Sequence, residues 1–329
     1  MDKQSFRVTN FMKNLHAVSI CIPTYNGAKW ILNAVESAIN QTYSDFEIVI
    51  VDDASTDQTV DLVRKLKHPK INTFVNSKRL GIAGNWNQSI AYAKGDYIKF
   101  LFQDDLLAPT CLEKMVELFK THNALGMVFS KRRILIDDPF NHQFKKWEIN
   151  YGSLHKRFKT LKTINVGVDL LREYVEIGPH KNLIGEPPAV MIRKECFSRV
   201  GKFNPYMEQL LDCEMWLRVM VGYDIGFIDE ELCTFRVHKK AQTWQEKSTI
   251  DAIERLWCYE GVLLICKDKQ LRIQLEKLRK IEIIKRLKKL CKAFCFFKGC
   301  LGELQQWIKY IFRRQSFRLK RNLGLSAGY

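Results

Sequence analysis

The 329-residue chain is 46% hydrophobic and 27% charged, fractions that exclude bulk disorder and collagen-like structure and permit a full hydrophobic core. Its net charge of +17 is unevenly spread: residues 261–329 carry 18 Lys+Arg against 4 Asp+Glu, which leaves only +3 on residues 1–260. The basic signal belongs to the C-terminal segment, which excludes a nucleic-acid-binding surface spread over the whole molecule.

Residues 1–16 read as a polar lead without the apolar stretch of a signal peptide. Ala17–Pro23 (AVSICIP) is short, apolar and β-branched and predicts a buried strand, and Lys29–Asn40 has apolar residues at helical spacing. Glu47–Val51 predicts a second strand ending at Asp52-Asp53, with Ser55 or Thr56 capping a helix through Leu66. A strand at Ile71–Val75, a helix at Ile82–Ala93, a strand at Tyr97–Phe102 ending at Asp104-Asp105, and a helix at Cys111–His122 follow. Residues 130–180 have weak periodicity and give no clear element. Pro187–Arg193 predicts a strand, Asp212–Gly222 a helix and Ile225–Arg236 a strand and turn. From Ile250 the pattern is helical, with a break at Gly299–Gly302. No run approaches the ~18–20 apolar residues of a spanning helix. The ten cysteines form no Cys-x-x-Cys pair and adjoin no histidine cluster, which argues against zinc and for a reducing, cytoplasmic setting.

Strands alternating with helices predict an α/β fold with a mostly parallel sheet, and ligands bind such sheets beyond the carboxyl ends of the strands. Pro23-Thr24-Tyr25, Asp52-Asp53 and Asp104-Asp105 fall on that edge. Two apolar strands that each finish in Asp-Asp need a reason, because ionised groups are costly to bury unpaired. Helix capping and solvated turns are the plain readings; a shared polyphosphate–metal site is the functional one. Asp212, at a helix start, is either a cap or a general base facing a cleft, and His238 is either structural or a ligand. Dinucleotide, P-loop and Gly-x-Ser-x-Gly fingerprints are missing, which argues against dehydrogenases, P-loop enzymes and α/β-hydrolases.

Taken in order, SICIPTYN at 19–26, Gln41-Thr42-Tyr43, VDDAST at 51–56, GDYIKFLFQDD at 95–105 and LDCEMWLR at 211–218 resemble an inverting, family 2 nucleotide-sugar glycosyltransferase. The resemblance covers roughly residues 17–240 and implies a GT-A fold. It divides the chain into a lead (1–16), a nucleotide-sugar-binding α/β half (17–125), an acceptor-binding catalytic half (126–245) and a basic helical extension (246–329). It implies that Pro23, Thr24, Tyr25, Asp52, Asp53, Asn87 and Asp104 serve the nucleotide. Asp105 and His238 would hold Mn²⁺ or Mg²⁺, Asp212 would be the catalytic base, and Glu186 and Trp216 would lie on the acceptor side. Phe102 stands where the leading Asp of the metal motif is usual, and Leu211 where an acid commonly precedes the base. Inversion needs one base and one group that offsets charge on the departing diphosphate.

The implied activity is metal-dependent transfer of a sugar, UDP-linked in the favoured reading, to a glycan or lipid-linked acceptor in surface polysaccharide or glycolipid synthesis. The Phe102 and Leu211 departures leave open a nucleotide-sugar-binding module without activity. From Lys280 to Phe312 an apolar, aromatic stripe is flanked by lysines, a pattern suited to an anionic membrane surface. Segment 268–329 is therefore expected to bring a cytoplasmic enzyme to the inner face of the membrane; packing on the core is the plainer alternative. No nucleic-acid partner is expected, because no recognition module accompanies the charge; a basic nucleic-acid-binding protein is the third reading.

Overall fold

The computed structural model describes residues 17–179, 181–239, 241 and 251–294. Nine strands form one sheet: β1 (Val18–Thr24), β2 (Phe46–Asp52), β3 (Ile71–Val75), β4 (Tyr97–Phe100), β5 (Leu106–Leu107), β6 (Leu125–Ile136), β7 (Ile164–Asn165), β8 (Val190–Arg193) and β9 (Asp224–Val237). Their order is β3-β2-β1-β4-β8-β6-β9-β5, with β7 beside β9. The first four pair in parallel; β8 joins β4 and β6 antiparallel, and β6 pairs β9 in parallel. Every residue of β1 and β2 is buried. The chain winds outward from β1 to β3 and then returns to β4 on the other side of β1. The crevice beyond the carboxyl ends of β1 and β4 is therefore a topological switch point.

The helices are α1 (Ile31–Ile39), α2 (Thr59–Lys65), α3 (Gly81–Tyr92), α4 (Cys111–Thr121), α5 (His142–Tyr151), α6 (Gly167–Ile177), α7 (Glu195–Val200), α8 (Leu211–Gly222), α9 (Asp251–Ile265) and α10 (Lys269–Phe294). The amphipathic pattern of α1 buries Ile31, Ala34, Val35 and Ala38. None of the described helices is long and apolar enough to cross a membrane.

Four sequence expectations change. The second helix starts at Thr59, because Ser55 donates to the Asp52 carboxylate and the Thr56 N–H to Asn26, while Asp57 accepts from the Thr59 N–H. The fourth strand ends at Phe100. Pro187–Ala189 is a 3₁₀ turn before β8, since proline lacks the N–H a central strand needs. Ile225–Arg236 lies within one 14-residue strand, β9.

The boundary expected at 125/126 falls where β6 begins, inside one continuous sheet and one core. The C-terminal helices also join that core. Leu256, Val262, Leu271 and Leu275 are all buried, and Arg172–Asp268 and Arg279–Glu260 ion pairs fasten this region to its surroundings. The expected lead (1–16), the break at Gly299–Gly302 and most of the basic stripe lie outside the described residues.

Candidate active site

The segment after β1 is shaped by backbone. Asn26 (φ +50°) and Ala54 (φ +59°) occupy left-handed conformations that non-glycine residues adopt at a cost. Ala54 is held there by its neighbours: Asp52, buried below the surface, accepts the Ser55 N–H at 2.7 Å and the Ser55 hydroxyl at 2.5 Å. Asp52 thus supports the turn. Asp53 lines the cleft and accepts from the Asn76 amide (2.9 Å), the Leu80 N–H (2.7 Å) and the Gly81 N–H (2.9 Å). All three donors are neutral amides.

Gln103 latches the first strand end. Its Oε1 accepts the Thr24 hydroxyl (2.5 Å) and the Tyr25 N–H (2.8 Å), and its Nε2 donates to Tyr25 O (3.1 Å). A Cβ on Gly27 would lie 2.3 Å from that Oε1, so only glycine fits there without displacing the latch. The Arg79 guanidinium sits 4.1 Å over the Tyr25 ring. Phe102 stacks on Trp86 at 5.0 Å, giving the cleft an aromatic wall where a leading aspartate was the usual expectation.

The two acids after β4 are treated differently. Asp104 faces the cleft with Oδ2 2.8 Å from His238 Nε2, and His238 packs 4.1 Å from the Trp30 ring. Asp105 is 1% exposed; its Oδ1 accepts the Arg236 N–H at 2.8 Å and its Oδ2 is buried without a hydrogen-bond partner. Burial, then the Asp104 charge, pushes the Asp105 carboxyl well above the usual range. The sequence expectation paired Asp105 with His238; in the structure Asp104 is the acid beside His238 and Asp105 lies buried under it. Arg236 ties the group together, donating to Asp104 O (2.9 Å) and Asp137 (2.8 Å).

Among the described residues no three His, Cys, Asp or Glu side chains gather as a complete metal cage. Asp104 and His238 nevertheless both line the cleft, and a cation held by them would take the place of the bond between Asp104 Oδ2 and His238 Nε2. One carboxylate oxygen and one imidazole nitrogen are chemically suited to a divalent cation that would draw its other ligands from outside the protein.

Asp212 lies in the first turn of α8 and lines the cleft from a different element. It is 8% exposed and accepts from the Asn182 amide at 3.1 Å and the Cys213 N–H at 2.7 Å. Burial first, and the Glu186 charge second, push its carboxyl up to about 7. Glu186 is itself held by Arg132, at 2.6 Å. The cleft encloses about 530 Å³ and also receives Pro23, Thr24, Tyr25, Asn85, Glu208 and Gln209.

Besides the buried Asp52 and Asp105, two more expected site residues lie away from the cleft. The Asn87 amide donates to Phe203 O (2.8 Å) and accepts from Phe203 N (2.9 Å), tying α3 to the chain before α8. Two residues earlier, on a different face of α3, Asn85 lines the cleft and donates to Val51 O at 3.0 Å. Trp216 is fully buried, its indole donating to Gly185 O at 3.0 Å, so it props the Glu186 loop from behind. Arg79, Gln103, Arg236 and Trp30 were not anticipated. Each acts through a partner distant in sequence, and no local pattern marks them.

Residues 19–169 match the sequence model of Glycosyl transferase family 2. An uncharacterized protein of Mycobacterium tuberculosis is 34% identical over 232 residues, 70% of each chain. Chondroitin synthase of Escherichia coli is 30% identical over 212 residues, covering 57% of this chain but 29% of the synthase. The E. coli UDP-Glc:alpha-D-GlcNAc-diphosphoundecaprenol beta-1,3-glucosyltransferase WfaP is 37% identical over 145 residues, 43% of this chain and 57% of that enzyme. The chain thus spans between about a third and about half of the length of these two enzymes. Among solved structures, Staphylococcus aureus TarS 1–349 in complex with UDP-GlcNAc superposes with a TM-score of 0.65 at 18% identity, covering 89% of this chain and 79% of that one, which establishes a shared fold.

Proposed function

Since the chain belongs to glycosyl transferase family 2 and is a glycosyltransferase, we propose that it moves a sugar from a UDP-linked donor, with inversion, to a hydroxyl of a glycan or lipid-linked acceptor. One observation carries the reading: a buried carboxylate tuned to about 7, Asp212, and a carboxylate–imidazole pair, Asp104–His238, enter the same cleft from separate elements. In this reading Asp53 accepts a hydrogen bond from the base while Tyr25 lies against it. Asp212 takes the proton of the acceptor hydroxyl as that oxygen attacks the anomeric carbon and the C–O bond to the diphosphate breaks. Glu186, fixed by Arg132, flanks Asp212 on the acceptor side. Asp104 and His238 would hold Mn²⁺ or Mg²⁺, which supplies positive charge against the leaving diphosphate.

WfaP, by its name, acts on a lipid-linked diphosphate, and this supports a similar acceptor class here. The excess of +14 beyond residue 260 supports peripheral attachment at the inner face of the membrane, since each basic residue near an anionic leaflet contributes on the order of 1 kcal/mol. The test is a panel of UDP-, GDP- and dTDP-linked sugars incubated with the purified chain, with and without Mn²⁺ and with a glycan or lipid-diphosphate acceptor. Cation-dependent release of UDP with a β-linked product from an α-linked donor is the expected result. Turnover confined to another nucleotide, or independent of cation, would overturn the donor or metal assignment respectively.

A further inference from the structure

The helix that follows the family-matched region reaches back to the catalytic turn. Glu208-Gln209-Leu210 is a non-helical bend immediately before α8, and Glu208 and Gln209 line the cleft beside Asp212. Such a bend has no ladder or helix to satisfy its backbone N–H groups, and a buried N–H left unpaired is costly. All three are taken by one side chain. The Glu254 carboxylate, on α9, accepts the Glu208 N–H at 2.7 Å, the Gln209 N–H at 2.8 Å and the Leu210 N–H at 2.7 Å. Glu254 is 2% exposed, so the arrangement is shielded from competing water.

The clamp is rigid at both ends. On α9, Leu256, Cys258 and Val262 are fully buried. Gly261 brings α9 flush against α8: a Cβ there would lie 2.1 Å from Glu214 Oε1. That carboxylate is locked to Arg218 by two 2.7 Å bonds, and Arg218 in turn donates to Gly201 O and Lys202 O. Tyr206, just before the bend, faces Trp257 of α9. Leu210 is the residue that caps α8, and Asp212 stands two residues further on. The position of the Asp212 carboxylate therefore depends on where a carboxylate 42 residues away holds the bend.

We infer that Glu254 is a positioning residue for the transfer reaction: it fixes the 208–210 backbone so that Asp212 meets the acceptor hydroxyl, which makes α9 part of the catalytic unit. This rests on the transferase reading above. Small displacements of a reacting group cost large factors in rate, so Glu254→Gln, which keeps the shape but turns one acceptor into a donor facing N–H groups, is expected to lower kcat about 10- to 100-fold. UDP affinity by calorimetry should stay within about twofold, because the groups assigned to the base lie at the far strand ends and the loss falls on the chemical step.

Val262→Ala, on the same helix and equally buried but without a bond to the bend, is the control for general loosening. Both variants and Glu254→Asp are assayed at a temperature well below their measured Tm values. A kcat loss in the two Glu254 variants that Val262→Ala does not share supports the inference. Equal loss in Val262→Ala, unchanged kcat in Glu254→Gln, or a UDP affinity that falls with kcat would overturn it. Failure of both Glu254 variants to fold while Val262→Ala folds would assign the carboxylate to stability alone and overturn it as well. Turnover by the wild type is the separate check on the transferase reading itself.

Discussion

A single carboxyl group sets the expected pH dependence. Burial favours the neutral form of Asp212 and pushes its carboxyl up to about 7, so in the proposed mechanism acid would block it as the base. Turnover is expected to rise as pH climbs through about 7, and Asp212→Asn should cost ~10²–10⁴-fold in kcat and remove that limb, read from a kcat–pH profile. Stability runs the opposite way: an acid that binds its proton more tightly folded than unfolded contributes stability at low pH that is lost between its ordinary range and about 7. The neighbouring acids give a second contrast. Asp104→Asn should abolish the Mn²⁺ response in a thermal-shift titration with UDP present. Asp105→Asn should retain it, because Asp105 is buried under the cleft and an amide oxygen can still accept the Arg236 N–H.

At the scale of elements, the parallel half was legible because each of its strands is a short apolar run and each helix carries a single buried stripe. The Asp-Asp strand ends and Asp212 were legible because polar residues interrupt those patterns. The stretch from 130 to 180 was not, because β6 runs on to Ile136 as a partly exposed strand and α5 buries only Phe144. Motif position gives the helix but not the face or the depth: Asn87 is two residues from the cleft-lining Asn85 and turns to another face, while Trp216 shares the face of Asp212 but lies one turn further into the core. The Gln103 latch joins the first and fourth strand ends and can be tested through its tightest neighbour. Gly27→Ala drives a methyl group into Gln103 Oε1, a flexible side-chain end that can swing away. The fold should therefore survive with a loss of about 1–3 kcal/mol in stability, while UDP affinity falls as Tyr25 loses its anchor.

For the whole molecule, the boundary between body and tail lies further along the chain than composition implied. Segment 268–329 was expected to be a membrane address separable after about residue 267, yet Asp268, Leu271, Leu275 and Arg279 are all bound to the body. Truncation after residue 267 would strip the cover from a buried surface, and insoluble protein is the expected outcome. A stop after residue 285 keeps those contacts while removing 11 of the 18 basic residues beyond position 260. That shorter chain should fold, transfer sugar to a soluble acceptor and lose sedimentation with anionic liposomes, an effect that salt should mimic on the full chain.

The packing of His238 against Trp30 also gives the protein an optical readout of its own. The indole centroid lies 4.1 Å from the imidazole, close enough for a cation bound at His238 to be expected to perturb Trp30 emission. Titrating Mn²⁺ in the presence of UDP should shift tryptophan fluorescence in the unlabelled enzyme, and Trp30→Phe should erase that component while the other six tryptophans continue to report the fold. If the proposed cation site is right, occupancy of the cleft could then be followed in real time during turnover, with Trp30 as the gauge beside His238.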